Sequence, residues 1–160
     1  MNKKQEKVDV LQAVPWFQEL SDEHFNKLCE ITHLVNVDKD TTIFSEGEKD
    51  ENLYIVLEGR VAIEVYHPAR GRIRIYTAEP LDVIGWSSVT PVVRQRTASA
   101  RAVLDCRLAA VDGLTLRKLC DEDYELGYII MRRVANVVAA RLMITRLQLL
   151  DVYGHPQEGQ

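Results

Sequence analysis

Within the 160 residues of the chain, the side chains best suited to chemistry are one arginine and a run of small residues that precedes it. Gly85-Trp86-Ser87-Ser88 is followed, after a short stretch, by Arg96-Thr97-Ala98. A guanidinium fork together with backbone N–H groups exposed at the start of a short helical turn suits a compact anion such as a phosphodiester, whose charge is spread over two oxygens. Arg96 can supply the fork. Gly85 and the small Ser87 and Ser88 let the backbone approach a ligand, and the two hydroxyls offer further donors. The competing reading of Arg96 is an exposed arginine at a strand end, the usual place for this residue. Its position relative to Gly85 and Ala98 favours the ligand reading.

Other chemistries find little support. A metal enzyme built on a β-barrel needs histidines and carboxylates on neighbouring strands. Of the four histidines only His67 falls in a strand region, beside Pro68 in a turn, while His24 and His33 fall in an N-terminal helical stretch and His155 in the tail. No Gly-x-Ser-x-Gly run, phosphate-cradling glycine loop or Cys-His pairing is visible, so the expectation is a protein without catalytic or metal residues and with no required cofactor. Cys29, Cys106 and Cys120 are odd in number and far apart, which predicts buried thiols rather than disulfides. A net charge of −4 provides no general field for nucleic acid, although Arg94, Arg96 and Arg101 lie close enough in sequence to form a local basic patch. The apolar runs are too short and too interrupted to span a bilayer, and the start of the chain lacks a secretory pattern, so a cytoplasmic protein without membrane association is expected.

The elements that must position Arg96 follow from hydrophobic periodicity. From Val8 to Val35 the pattern is helical, broken once at Pro15, with Ser21 as N-cap and Phe25, Leu28, Cys29 and Thr32 at helical spacing. Between Thr41 and Asp112 the period falls to two, as in Arg60–Tyr66 and Arg72–Tyr76, and Gly47, Gly59 and Gly71 recur at the spacing of turns between short antiparallel strands. After Asp112 helical spacing returns: a short segment Leu114–Cys120, an acidic break at Asp121-Glu122-Asp123, then one long helix from Tyr124 to Leu150. This last helix has two apolar seams, one through Leu126, Ile130, Val137, Ile144 and Leu147, the other through Tyr128, Met131, Ala135, Val138, Leu142 and Leu149. The barrel can cover one seam. The simplest cover for the other is the same helix in a second copy, so a homodimer through residues 124–150 is expected.

From about Leu11 to Leu150 the chain resembles the cyclic-nucleotide-binding domain family, which includes the ligand domains of catabolite activator protein and the regulatory subunits of protein kinase A. The resemblance rests on Ile43-Phe44-Ser45-Glu46-Gly47-Glu48 with Leu53–Val61 as opening strands and glycine turns. It rests also on Pro80–Val89 and Arg96–Ala100, which occupy the place of the family's phosphate-binding cassette. The resemblance implies a mainly β fold with flanking helices: a jelly-roll barrel (double-stranded β-helix) over 41–112 with its cassette at 80–100, N-terminal helices over 8–36 and C-terminal helices over 113–150, as one domain from 8 to 153. It implies ligand contacts from Gly85, Trp86, Ser87, Ser88, Arg96 and Thr97, with Arg141 and Thr145 of the long helix closing over the ligand's far end.

Two residues depart from the family pattern. Trp86 stands where the family has a glutamate that accepts a hydrogen bond from the ribose, and an indole offers a donor but no acceptor. Leu81 replaces the glycine that usually precedes Asp82. The ligand is therefore a cyclic nucleotide such as cAMP or cGMP bound by altered contacts, or a different phosphorylated or acidic small molecule, or none, with Trp86 as filler. The function implied is a regulatory module in signal transduction, the alternative being a ligand-free dimeric interaction module. With no helix-turn-helix expected after Leu150, the expected output is a partner protein, a separately encoded effector or ligand buffering, among which the sequence does not choose, and DNA binding by this chain alone is not expected.

Overall fold

The computed structural model describes residues 3–154 apart from 50, 91 and 94. Arg94 of the expected basic patch, His155 and the tail 155–160 lie outside the described residues. Helix α1 (Lys3–Gln12) leads through a 3-10 turn at Pro15–Phe17 to helix α2 (Asp22–Glu30), whose N-cap Ser21 accepts from the His24 N–H. Strands β1 (Thr32–Val37), β2 (Thr42–Phe44), β3 (Asn52–Glu58), β4 (Val61–His67), β5 (Gly71–Ala78), β6 (Val83–Ile84), β7 (Ser99–Ala102) and β8 (Cys106–Asp112) follow. A 3-10 turn at Trp86–Val89 interrupts them after β6, and helices α3 (Gly113–Glu122) and α4 (Tyr124–Gly154) complete the chain. The strands form two antiparallel sheets, β1-β8-β3-β6 and β2-β7-β4-β5.

The N-terminal helical stretch is shorter than the periodicity predicts, because Thr32, His33, Leu34 and Val35 belong to β1 and not to a helix reaching Val35. Thr32 does lie four residues after Leu28, but its hydroxyl donates to the Leu28 carbonyl at 2.6 Å and closes the helix end. From there the chain pairs with β8 in the register Thr32↔Val111 to Val37↔Cys106, and His33 sits opposite Ala110. A four-residue spacing satisfies both periods over so short a stretch, and pairing with β8 decides between them.

The core has two parts. Between the sheets lie Phe44, Val56, Val61, Ile63, Ile84, Ala100 and Leu108. Between the first sheet and the helices lie Leu11, Phe17, Leu28, Leu53, Ile55, Val111, Leu116, Leu126 and Ile130. Strands β3 and β8 are thus covered on both faces, which is why Leu108-Ala109-Ala110-Val111 reads as an unbroken apolar run. Strand β5 alternates because only one of its faces is covered. Gly59 turns at φ +87 against β8, where a Cβ would come within 2.4 Å of the Asp105 carbonyl oxygen. The three cysteines are buried and free.

The first seam of α4 begins in the core with Leu126 and Ile130, continues half-buried through Val137 and Ile144, and ends exposed at Leu147. On the second seam Met131 and Val138 are half-buried while Tyr128, Leu142 and Leu149 are exposed. No helix among the described residues is long and apolar enough to cross a membrane.

Candidate functional site

The site grows out of the end of β6. Gly85 takes φ +72, a left-handed conformation that glycine enters freely, and it caps the 3-10 turn Trp86–Val89. A Cβ on Gly85 would stand 2.5 Å from Nη1 of Arg96 and 2.8 Å from the Asn52 carbonyl oxygen, so the glycine serves the close approach as well as the turn. The Ser88 hydroxyl and its N–H both donate to the Gly85 carbonyl, at 2.8 and 3.1 Å.

Arg96 is not an exposed strand-end residue; it retains 4% of its accessible surface. Its N–H donates to the Glu48 carbonyl and its own carbonyl accepts from Gly47 N–H, which stitches it to the β2–β3 turn. Nη1 donates to the Gly85 carbonyl at 3.1 Å and Nη2 to the Asn52 carbonyl at 2.7 Å. The guanidinium lies 4.1 Å from the centroid of the Phe44 ring, which in turn stacks on Tyr54 at 6.0 Å and 24°. These carbonyls and the aromatic face all contribute to compensating the buried cation.

Gly85, Trp86, Ser87, Arg96 and Thr97 line one cavity of about 170 Å³, which Arg141 and Thr145 of α4 close from the opposite side. Ser88, expected among them, does not line it. Its hydroxyl points back to the Gly85 carbonyl and its side chain packs under Gly113, where a Cβ would sit 2.9 Å away. The turn consumes this donor to stabilise itself. The apolar walls are Phe44, Ile63, Ile75, Tyr76, Ile84, Ala98 and Ile144. These were missed because strand alternation reveals which face a side chain takes but not which end of the sandwich opens.

Arg141 stacks on the Tyr76 ring at 3.9 Å, and its Nη2 lies 3.9 Å from the Asp82 carboxylate. Burial pushes the Tyr76 phenol up to about 12, the neighbouring Arg141 opposing the shift, so this ring stays neutral. Thr145 donates its hydroxyl to the Arg141 carbonyl, and Gln148, a further lining residue of α4, donates its amide to the Ile75 carbonyl of β5. Arg96 and Arg101, the described members of the expected basic patch, do not form one, since Arg96 is buried and Arg101 pairs with Glu64 at 2.8 Å and Asp40 at 3.2 Å.

Two antiparallel sheets, a glycine-started turn and a buried arginine thus meet at one cavity beneath a long helix. The chain belongs to the cyclic nucleotide-binding domain family, whose profile matches residues 34–123. It is 28% identical over 145 residues to a CRP-like cAMP-activated global transcriptional regulator of Mycobacterium tuberculosis, covering 90% of this chain and 62% of that protein. The chain thus spans about three fifths of the length of that curated relative. Among solved structures, the N-terminal domain of a transcriptional regulator from Streptomyces coelicolor is similar at a TM-score of 0.64 and 28% identity, over 86% of this chain and 94% of that one. A cyclic nucleotide-binding domain from Methylobacillus flagellatus shares the fold at a TM-score of 0.75 and 22% identity, over 92% and 83%. The family profile begins at Leu34, inside β1 and not at Thr41, in keeping with the earlier onset of the strands.

Proposed function

We propose that this domain is a sensor: it takes an anionic, phosphate-bearing small molecule, a cyclic nucleotide or an analogue of one, into the cavity between its cassette and α4. The observation that carries the reading is one cavity lined both by Arg96 with Trp86 and Ser87 and by Arg141 and Thr145. The phosphate approaches Arg96 and the backbone N–H groups that start the turn, and α4 closes the far end. A ligand moves α4 only through its stronger binding to the closed arrangement. Similarity to a cAMP-activated regulator supports a cyclic nucleotide, and Trp86 argues that the sugar is held differently, since it supplies no acceptor for a ribose hydroxyl.

The exposed second seam of α4 supports a homodimer through this helix, with an effector protein receiving the signal. Titration calorimetry with cAMP and cGMP tests the reading. Binding should be present and abolished by Arg96→Ala, and affinity for ribose and deoxyribose forms should be similar. Retention of full affinity by Arg96→Ala would remove the site from Arg96.

The second reading, a pocket that no longer binds, is favoured by one observation: two donors of Arg96 are already engaged by the Gly85 and Asn52 carbonyls. Native mass spectrometry of the purified protein separates the two, because a retained small molecule of nucleotide mass is expected only of a sensor.

A further inference from the structure

We propose that the open edge of β5 receives an extended, acidic segment of a partner protein, added to the second sheet as a further strand. The proposal stands whether or not the cavity binds a ligand. In the order β2-β7-β4-β5 the last strand lies at the margin of its sheet. Its backbone is engaged on one side by β4, from Val61↔Ala78 to His67↔Gly71. On the other side, the partner it finds among the described residues is the Gln148 amide, at the Ile75 carbonyl. From Gly71 to Arg74 that margin is open. A row of unpaired N–H and C=O groups is a template on which another chain can pair, main-chain bonds giving affinity and side chains giving choice.

Charge decides what fits there. Arg70, Arg72 and Arg74 are all exposed, and none of them has a hydrogen-bond or ion-pair partner among the described residues. Arg72 lies opposite Tyr66 and Arg74 opposite Glu64, so both project from the outer face of the sheet, roughly 7 Å apart at the usual rise of a strand. The carboxylate beside them, Glu64, is already paired with Arg101 at 2.8 Å. A second copy of β5 does not fit this edge, because antiparallel pairing would set arginine against arginine, one of the ways an edge is kept from joining itself. A strand with Asp or Glu at alternate positions does fit. It brings a carboxylate to each guanidinium fork and an apolar residue alongside Ile73, whose cross-strand neighbour Val65 packs against the core between the sheets. Tyr66, 67% exposed and opposite Arg72, adds an aromatic of the kind that with arginine carries much of the binding energy at protein interfaces. Nucleic acid suits the edge less well: its binders commonly neutralise about six to ten phosphates, and the chain's net charge of −4 opposes the approach.

Fluorescence anisotropy of the full chain with a labelled peptide of alternating Glu and Val tests this, beside a peptide of the same composition with its glutamates in one block and a labelled DNA duplex. The alternating peptide should bind about fivefold or more tighter than the block peptide, because only alternation brings its carboxylates to one face of a strand. Arg72→Gln with Arg74→Gln should weaken that binding about tenfold or more, equivalent to about 1.4 kcal/mol. The melting temperature of this variant should stay at the wild-type value, since both side chains are exposed. Arg72→Lys with Arg74→Lys, which keeps the charge, should lose less affinity than the glutamine pair. Equal binding of the two peptides would reduce the effect to charge alone and overturn strand addition. The proposal also falls if neither peptide binds, if the glutamine pair binds as tightly as the wild type, or if the duplex binds tighter than the alternating peptide at physiological salt. None of these outcomes touches the cavity, whose reading is decided by calorimetry with cyclic nucleotides.

Discussion

Leu81 takes φ +76, a left-handed conformation that costs a side chain with a Cβ roughly 1–2 kcal/mol. Its side chain is 52% exposed, so little packing repays this cost. What holds the residue there is the backbone: its N–H donates to the Val56 carbonyl at 2.7 Å while Asp82 closes the turn from below. Leu81→Gly should therefore raise the unfolding free energy by about 1 kcal/mol, read from urea midpoints at constant slope, although glycine is usually the destabilising choice. Gly85→Ala acts in the opposite sense. The added methyl meets Arg96 and the Asn52 carbonyl while φ stays at +72, so a loss of about 2 kcal/mol is expected together with loss of ligand binding. Both positions were legible from sequence, because a glycine in a turn and its absence from one are visible as letters. Phe44 and Tyr76 were not legible. They become site residues only because β2 and β5, the opposite edges of the second sheet, each bring a side chain to the same cavity, a relation that no local window contains.

Three helices are joined at Asp123, where α3 ends and α4 begins. One carboxylate oxygen accepts from the Leu126 N–H at 3.1 Å, and the other is shared by His24 and Lys27 of α2, each at 3.0 Å. The Leu126 bond first, and then Lys27, hold this carboxyl down at about 2, below its ordinary 3.8. A carboxyl held low stabilises the fold above its unfolded value, and that contribution disappears as pH falls through the folded value. Asp123→Asn should thus be less stable than the wild type at neutral pH, with the gap in urea midpoint closing between about 3.8 and about 2. A gap unchanged across that window would assign the effect to shape rather than charge. For α4 itself, Leu142→Asp with Leu149→Asp should give a monomer by sedimentation with little change in melting, because both side chains are exposed in the single chain. The helix and its break were readable from sequence, since long periodic segments average out local ambiguity. The β1 start was not, as Thr32 satisfies the helical spacing while serving as the stop.

At the scale of the whole molecule, β3 and β8 belong to both cores, so a change at the helix side reaches the cavity side through one layer of backbone. The cavity should also report on global stability. A ligand at about one hundred times its dissociation constant adds about 2.7 kcal/mol to a chain that unfolds in one step, and the rise in melting temperature should vanish in Arg96→Ala. Arg133 adds a mechanical element. Its guanidinium donates to the Trp16 and Gln18 carbonyls and, with the Asp123 junction, bolts the first part of α4 to the N-terminal segment. Beyond that bolt α4 is a beam that runs on for roughly 30 Å to Gly154 at the usual helical rise, resting on the barrel through Arg141 against Tyr76 and Gln148 against Ile75. Arg141 sits only about 12 Å out along this beam, so a sideways push there that also releases the Gln148 contact is multiplied about two and a half times at the tip. A displacement of half an ångström at the ligand, smaller than ordinary side-chain play, becomes more than an ångström at Tyr153 and Gly154, where another molecule could feel it.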